Sequence, residues 1–111
     1  LTPIGNRPAG RQAPETPVLQ AARAAQAALG IPLLKYSAAS TDHNVPVSLG
    51  IPATTLGGGG VEGNNHSLRE WYEPTRGWQG PQLTLLTALA LVGVVGVSEP
   101  LLPVRSPGAV S

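Results

Sequence analysis

The stretch that decides the fold is TPVLQAARAAQAALGIPLLKYSA, residues 16–38. After a Thr-Pro pair that suits the start of a helix, apolar side chains recur at helical spacing from Val18 to Leu29. Gly30 suits the end of that helix, and the apolar residues of 32–38 predict a strand. A helix followed by a strand is the unit from which α/β proteins with a parallel sheet are built.

The rest of the chain continues this alternation. Residues 45–50 predict a helical turn, and the β-branched run 51–56 predicts a buried strand. A glycine run follows, then a short helix near 68–72 and a long apolar helix over 83–97. Two strands are only a fragment of a parallel sheet, whose strands are normally buried on both faces. The predicted fold is therefore part of a larger α/β unit.

Composition excludes several function classes. The chain has 111 residues, a formal charge of +1 and no cysteine. The charge argues against nucleic acid or an anionic membrane as the main partner, and the missing cysteine rules out disulfides and thiolate zinc sites. As a helix, residues 83–97 would rise roughly 22 Å, short of a ~30 Å hydrocarbon core, which favours a buried helix packed on a sheet. Because no secretory signal is present, we expect a cytoplasmic protein.

The candidate chemistry lies in LGGGGVEGNNHSLREWY, residues 56–72. From these residues alone, two interpretations stay open. Either the glycines are a flexible connector and His66 is an incidental loop imidazole, or the glycines shape a pocket wall and His66 is a metal ligand. The acidic residues near His66 do not decide between the two interpretations, because none of them is at a sequence spacing that is specific for a metal site. Glu70 and Glu73 have a purely structural explanation. They would lie in the first turns of a helix, where negative side chains interact favourably with the helix macrodipole.

Four motifs in sequence order resemble the C-terminal catalytic segment of the M20 family of metallopeptidases. They are Ser40-Thr41-Asp42, Gly50-Ile51-Pro52, the run Leu56 to Gly60, and His66-Ser67 with Glu70-Trp71. IGNRPAG at residues 4–10 also resembles the end of the inserted lid domain of that family. The resemblance covers about residues 1–97, and the ordered combination is more specific than any one motif.

The resemblance implies a fold and a domain division. The fold is a partial catalytic domain of a zinc-peptidase-like α/β sandwich, with the last strand of the lid domain at its N-terminus. Residues 1–14 would be the end of the lid and 15–97 the C-terminal part of the catalytic domain, followed by a loose tail at 98–111. The dimer contacts of the family lie mainly in the lid, so the complete protein would be a homodimer through residues mostly outside this chain.

The resemblance also implies a chemistry. Two Zn²⁺ ions, or Co²⁺ or Mn²⁺, would activate a water that attacks the amide bond of a peptide or an N-acyl amino acid, with a Glu as general base. His66 falls at the last metal ligand of the family. The implied substrate-binding residues are Asp42, Asn44, Gly57, Gly58, Gly59 and Gly60.

The chain departs from the family pattern at informative positions. Many relatives carry Arg where Asn44 stands, and His43 replaces a usually small residue. The His-x-Asp motif and the Glu-Glu pair of the family are absent. The expected partner is thus a missing N-terminal catalytic segment, without which the fragment is expected to be inactive. The alternatives are a non-catalytic α/β structural or interaction module and, third, a membrane-anchored peptide using residues 83–97.

Overall fold

Among the residues that the structure describes, three helices and one small sheet make up the regular structure. The computed structural model describes residues 1–33 and 39–103. The elements in chain order are α1 (Pro17–Ala28), α2 (Asn44–Ser48), β1 (Val61–Gly63), β2 (Trp71–Glu73) and α3 (Gln79–Val92). The chain is therefore a small mixture of helix and strand, as an α/β fragment would be. The strand predicted over 32–38 has its last five residues outside the described ranges, and residues 32 and 33 form no strand.

Helix α1 confirms the prediction and shows how it ends. Pro17 occupies its first turn, although the Thr16 hydroxyl makes no capping hydrogen bond. At the other end Gly30 has φ +66°. The N–H of Gly30 donates to the carbonyl of Ala27 (3.1 Å), and the N–H of Ile31 donates to that of Gln26 (2.9 Å). This pair of bonds is the Schellman motif, which needs a left-handed residue at the position that glycine fills.

Helix α2 ends in the same way, 20 residues further along the chain. Gly50 has φ +76°, and the N–H of Ile51 donates to the carbonyl of Pro46 at 2.9 Å. The sequence Leu-Gly-Ile-Pro thus closes both helices, at residues 29–32 and 49–52. Glycine supplies the positive φ, and the following proline cannot continue a helix. Helix capping alone therefore accounts for the Gly-Ile-Pro at residues 50–52.

The core lies between α1 and α3, the two helices that contact each other. Leu19, Ala21, Ala22 and Ala25 are the buried residues of α1, and Gly80, Leu83 and Thr87 are those of α3. Small side chains let the two helices approach closely. Many large apolar side chains stay outside this small core, among them Leu49, Leu68, Trp78, Leu85 and Val92.

Helix α3 differs from the long helix predicted over 83–97. It begins at Gln79 and stops after Val92, because Gly93 takes φ +77° and the chain turns back through a bridge between Val94 and Ser98. Among the described residues it packs on α1, and not on the sheet that the sequence predicts. Within the two described ranges, none of the helices has both the length and the apolarity to cross a bilayer.

The sheet corrects three predictions. Its strands β1 and β2 are antiparallel, with Val61 opposite Glu73 and Gly63 opposite Trp71, so the expected parallel sheet is not found among the described residues. The short helix near 68–72 is wrong, because the aromatic pair Trp71-Tyr72 favours the strand that it begins. Glu73 lies in β2 and Glu70 immediately before it, so neither carboxylate interacts with a helix dipole.

Residues 1–13 form no strand, which corrects the expected lid strand. Pro3 and Pro8 lack the N–H that a ladder needs, and no strand of the described ranges lies beside them. The segment is instead tied to the rest of the chain by two side chains. Arg7 reaches Asp42, and Gln12 reaches Ala53.

The predicted strand over 51–56 is also corrected. Residues 51–58 run without helix, turn or bend, but no neighbouring strand pairs with them among the described residues. A strand is defined by its partner, so this run, which has none there, is not assigned as a strand.

Candidate functional site

His66 lies at the tip of the hairpin between β1 and β2. Its backbone has φ +65°, and its imidazole is exposed. Side-chain hydrogen bonds hold the loop around it. Ser67 Oγ donates to the carbonyl of Asn64 (2.7 Å) and accepts from the N–H of Arg69 (3.2 Å), while Asn64 Nδ2 donates to the carbonyl of Arg69 (3.3 Å). The loop therefore presents the imidazole outward from a backbone that its neighbours fix.

The His66 side chain makes no hydrogen bond or ion pair with any residue in the described ranges. An outward-facing imidazole with both ring nitrogens free can serve as a ligand to a metal ion or a group supplied from outside. It can equally remain a solvated loop residue, which is the first of the two interpretations that the sequence left open.

The second half of the glycine run is required by packing. Gly59 has φ +82°, and a Cβ there would come within 2.3 Å of the Gly77 carbonyl oxygen. Gly60 has φ +75° and lies against the ring of Tyr72, where a Cβ would come within 2.5 Å of the ring. Both conformations and both contacts exclude a larger side chain without rearrangement. These two glycines thus hold the chain against the start of α3 and against β2.

The first half of the run is open. A Cβ on Gly57 or Gly58 would meet nothing within 4 Å, and the N–H groups of both residues have no partner in the part of the chain that the structure describes. The main chain of Gly58 lies against Gly80, whose own Cβ would come within 2.1 Å of it. Backbone donors without an obstructing side chain remain available here, so the role of these glycines in a pocket wall stays a prediction.

The residues predicted to bind substrate near α2 already have partners within the chain. Asp42 is exposed and forms an ion pair with Arg7 at 3.2 Å. The Asn44 side chain accepts from the N–H of Thr41 (2.9 Å) and donates to the carbonyl of Pro8 (3.3 Å). Asn44 therefore joins the turn before α2 to the N-terminal segment. Its amide would have to leave these bonds to contact a substrate.

His43 is the residue that sequence reasoning left without a role. Its Nδ1 is 2.7 Å from Thr55 Oγ1 and also contacts Thr41 Oγ1, and the Thr55 hydroxyl donates to that of Thr41 at 3.1 Å. This small network connects the N-terminus of α2 to the run 51–58. The sequence does not predict this network, because Thr55 is 12 residues away from His43 and the two residues do not form a known sequence motif.

An open cleft of about 400 Å³ lies beside this network. Among the described residues, its lining consists of Ala9, Gly10, Ala39, Ser40, His43, Asn44 and Val47. None of these seven is an Asp, Glu, Lys or Arg. The cleft is large enough for a small polar molecule.

The residues present do not make a metal site by themselves. Across residues 1–33 and 39–103, no three His, Asp or Glu side chains come close enough together to hold one ion. Zinc in proteins takes three or four protein ligands. His66 and the cluster around Asp42 and Asn44 also share no hydrogen bond or ion pair. A dinuclear centre would thus need ligands that these residues do not supply.

Comparisons with known protein families, with curated proteins and with solved structures find no match to this chain.

Proposed function

We propose that this chain is the C-terminal part of an M20-type metal-dependent hydrolase that cleaves an amide bond in a peptide or an N-acyl amino acid. In this proposal His66 is one ligand of a dinuclear centre. The other ligands and the general base come from a polypeptide segment that carries the His-x-Asp and Glu-Glu motifs.

The observation that carries the proposal is the exposed His66 imidazole on a hydrogen-bonded turn, with no partner among the described residues. A histidine that served only to stabilise its loop would be bonded to that loop, whereas here Asn64 and Ser67 make those bonds. The small core and the large exposed apolar side chains also suit a unit that is completed by more polypeptide.

The chemistry assigned to this chain is correspondingly limited. Gly57 and Gly58 would offer unobstructed main-chain donors to the substrate, and His66 would bind the metal. Because these residues do not fit a complete metal centre, no hydrolytic step can be assigned to them. The 111-residue chain alone is expected to be inactive.

A non-catalytic interaction module is the second candidate, and one observation favours it. The Asn44 amide and the Asp42 carboxylate, both expected at the substrate, are engaged in contacts that tie the N-terminal segment to α2. In that case the site residues are structural, and His66 is a solvated loop imidazole.

The first experiment is to sequence the gene upstream of the codon for Leu1. An open frame that encodes His-x-Asp and Glu-Glu motifs in order supports the hydrolase. A start codon at this position, with no such frame beside it, supports the interaction module.

The second experiment uses the 111-residue chain with ZnCl₂ and N-acetyl amino acids as probes. The proposal expects no turnover and only the weak zinc binding of a surface imidazole. Hydrolysis by this chain, or two tightly held equivalents of zinc, would show that the chain contains a complete site and would refute the proposal.

A further inference from the structure

Residues 7–12, here called the strap, lie against residues 40–53. Arg7 holds the start of the strap, where its Nη1 donates to the carbonyl of Ser40 (3.1 Å) and its Nη2 forms an ion pair with Asp42 (3.2 Å). Both acceptors lie just before α2. One guanidinium thus binds a main-chain oxygen and a carboxylate that are two residues apart.

The middle of the strap is fitted closely to α2. The carbonyl of Pro8 accepts a hydrogen bond from Asn44 Nδ2 (3.3 Å). Gly10 lies so near to α2 that an added Cβ would come within 2.8 Å of Val47 Cγ1 and 2.9 Å of the Ser48 nitrogen. The Ser48 nitrogen belongs to the helix main chain and does not move independently, so only glycine fits at this point of the strap.

The end of the strap is held by Gln12, whose side chain bonds both the N–H and the C=O of Ala53. The partners of the strap therefore follow one another in chain order, from residue 40 to residue 53. Each contact uses a different chemical group of the strap: a guanidinium, a main-chain carbonyl, a glycine and a side-chain amide. The strap is thus recognised by its sequence, as a bound peptide is.

These contacts make the strap easy to release. Within the described ranges, none of the main-chain to main-chain hydrogen bonds joins residues 1–12 to another part of the chain. The side chains of Arg7 and Asp42 are 52% and 99% exposed, and exposed ion pairs stabilise little. Only Pro8 and Gln12 of the strap are even half-buried. A segment with so few buried contacts opens at a low cost in free energy.

We propose that residues 40–53 form a binding surface for an arginine-containing peptide, and that the strap occupies this surface in cis and can leave it. The peptide carries its arginine one residue before the carbonyl that meets Asn44, and a glycine three residues after the arginine. Release of the strap also removes Ala9 and Gly10 from the wall of the cleft beside His43. This inference does not rest on the proposed hydrolase.

A peptide that binds in trans competes with the strap. Because only residues 13–16 connect the strap to α1, the effective concentration of the strap at the surface is on the order of mM. A free peptide therefore binds only the fraction of chains whose strap is released, and its apparent affinity is lowered by that fraction. A substitution that displaces the strap and leaves residues 40–53 unchanged should make the peptide bind more tightly.

The test measures, by fluorescence anisotropy, how a fluorescein-labelled peptide with the sequence of residues 4–13 binds to the 111-residue chain. Gly10→Ala in the chain should displace the strap, and Gly5→Ala is the control because its Cβ would meet nothing within 4 Å. The apparent dissociation constant should be at least about fivefold lower for Gly10→Ala than for the wild type and the control. In the peptide, Arg7→Gln should weaken binding at least about tenfold. Arg11→Gln should not, because that side chain has no partner among the described residues.

Trypsin cleavage of the bond between Arg11 and Gln12 measures release of the strap without any added peptide. Cleavage should be several-fold faster in Gly10→Ala than in Gly5→Ala, because the protease cuts the released segment. Circular dichroism checks that each variant is folded. If Gly10→Ala fails to fold, Arg7→Gln in the chain takes its place in both measurements.

Each of four results would overturn the proposal. In the first, the labelled peptide binds none of the chains, and in the second it binds Gly10→Ala and Gly5→Ala equally. In the third, the peptide with Arg7→Gln binds as tightly as the unchanged peptide, which would place its contacts elsewhere. In the fourth, trypsin cleaves all the chains at the same rate, which would show that Gly10 does not seat the strap.

Discussion

Replacing Gly59 with alanine should destabilise the chain strongly, whereas the same change two residues earlier should not. Gly59 has φ +82°, and its added Cβ would lie 2.3 Å from the Gly77 carbonyl oxygen and 2.8 Å from the Gly80 nitrogen. Both of those atoms belong to the main chain, which cannot turn aside as a flexible side chain does. Gly57 has no atom within 4 Å of its Cβ position and no positive φ.

The magnitude follows from two costs and one gain. A left-handed conformation costs alanine about 1–2 kcal/mol, and an overpacked contact costs about 1–3 kcal/mol more. Against this, alanine lowers the entropy of the unfolded chain, which stabilises by roughly 0.4–1 kcal/mol. The net loss for Gly59→Ala is therefore about 1–5 kcal/mol. For Gly57→Ala only the gain applies, so its stability should be unchanged or higher by up to about 1 kcal/mol.

Urea denaturation followed by far-UV circular dichroism measures both values on the same scale. Small domains have a total stability of about 5 kcal/mol, so Gly59→Ala should lose a large part of its stability and unfold at a much lower urea concentration than the wild type. If the two variants unfold at midpoints that correspond to equal stability, the packing of the glycine run against the start of α3 is wrong.

Two further pairs of substitutions test the core and the network around α2. Leu83 is 4% exposed, so Leu83→Ala should lower the free energy of unfolding, measured in urea, by about 3 kcal/mol. Leu85→Ala, on the outer side of α3, should lower it by less than about 0.5 kcal/mol, and equal losses would contradict the packing of α3 on α1. His43→Ala and Thr55→Val should each lower it by about 1 kcal/mol, and their effects should be non-additive in a double-mutant cycle. Strictly additive effects would show that the two side chains do not interact.

Local signals in the sequence predict the helices well. Pro17 lies at the start of α1 and Gly30 just after its end, and each residue determines the boundary through its own backbone conformation. Gly50 does the same for α2. The apolar pattern that starts at Leu83 predicts a helix that begins and ends too late, because the helix begins with the polar Gln79. The predicted range 83–97 includes Gly93, which is the residue at which the helix ends.

The sheet could not be predicted in this way, because strands are defined by distant partners. Residues 51–56 have the composition of a buried strand, yet among the described residues no strand pairs with them, and the main chain of Ala53 is bonded by the side chain of Gln12, 41 residues earlier. Glu70 and Glu73 suit the first turn of a helix, and the sequence therefore predicts a helix that includes Trp71 and Tyr72. The Trp71 ring instead lies against Gly63 in β1, and the Tyr72 ring lies against Gly60, the residue just before β1.

The candidate site shows the same division. Sequence motifs selected His66 and the glycines, and the structure separates the open Gly57 and Gly58 from the packed Gly59 and Gly60. Asp42 and Arg7 are 35 residues apart in the sequence, so no local motif predicts their ion pair. Resemblance to a family could suggest roles for these residues, but not which of them the rest of the chain already holds.

The metal content of the complete protein encoded by the gene tests the central proposal most directly. Wild-type protein, His66→Ala and the control His43→Ala would be purified with zinc and measured by elemental analysis. The proposal predicts about two zinc ions per chain in the wild type and in His43→Ala, and about one in His66→Ala. Two zinc ions in all three proteins would remove His66 from the metal site and contradict the proposal.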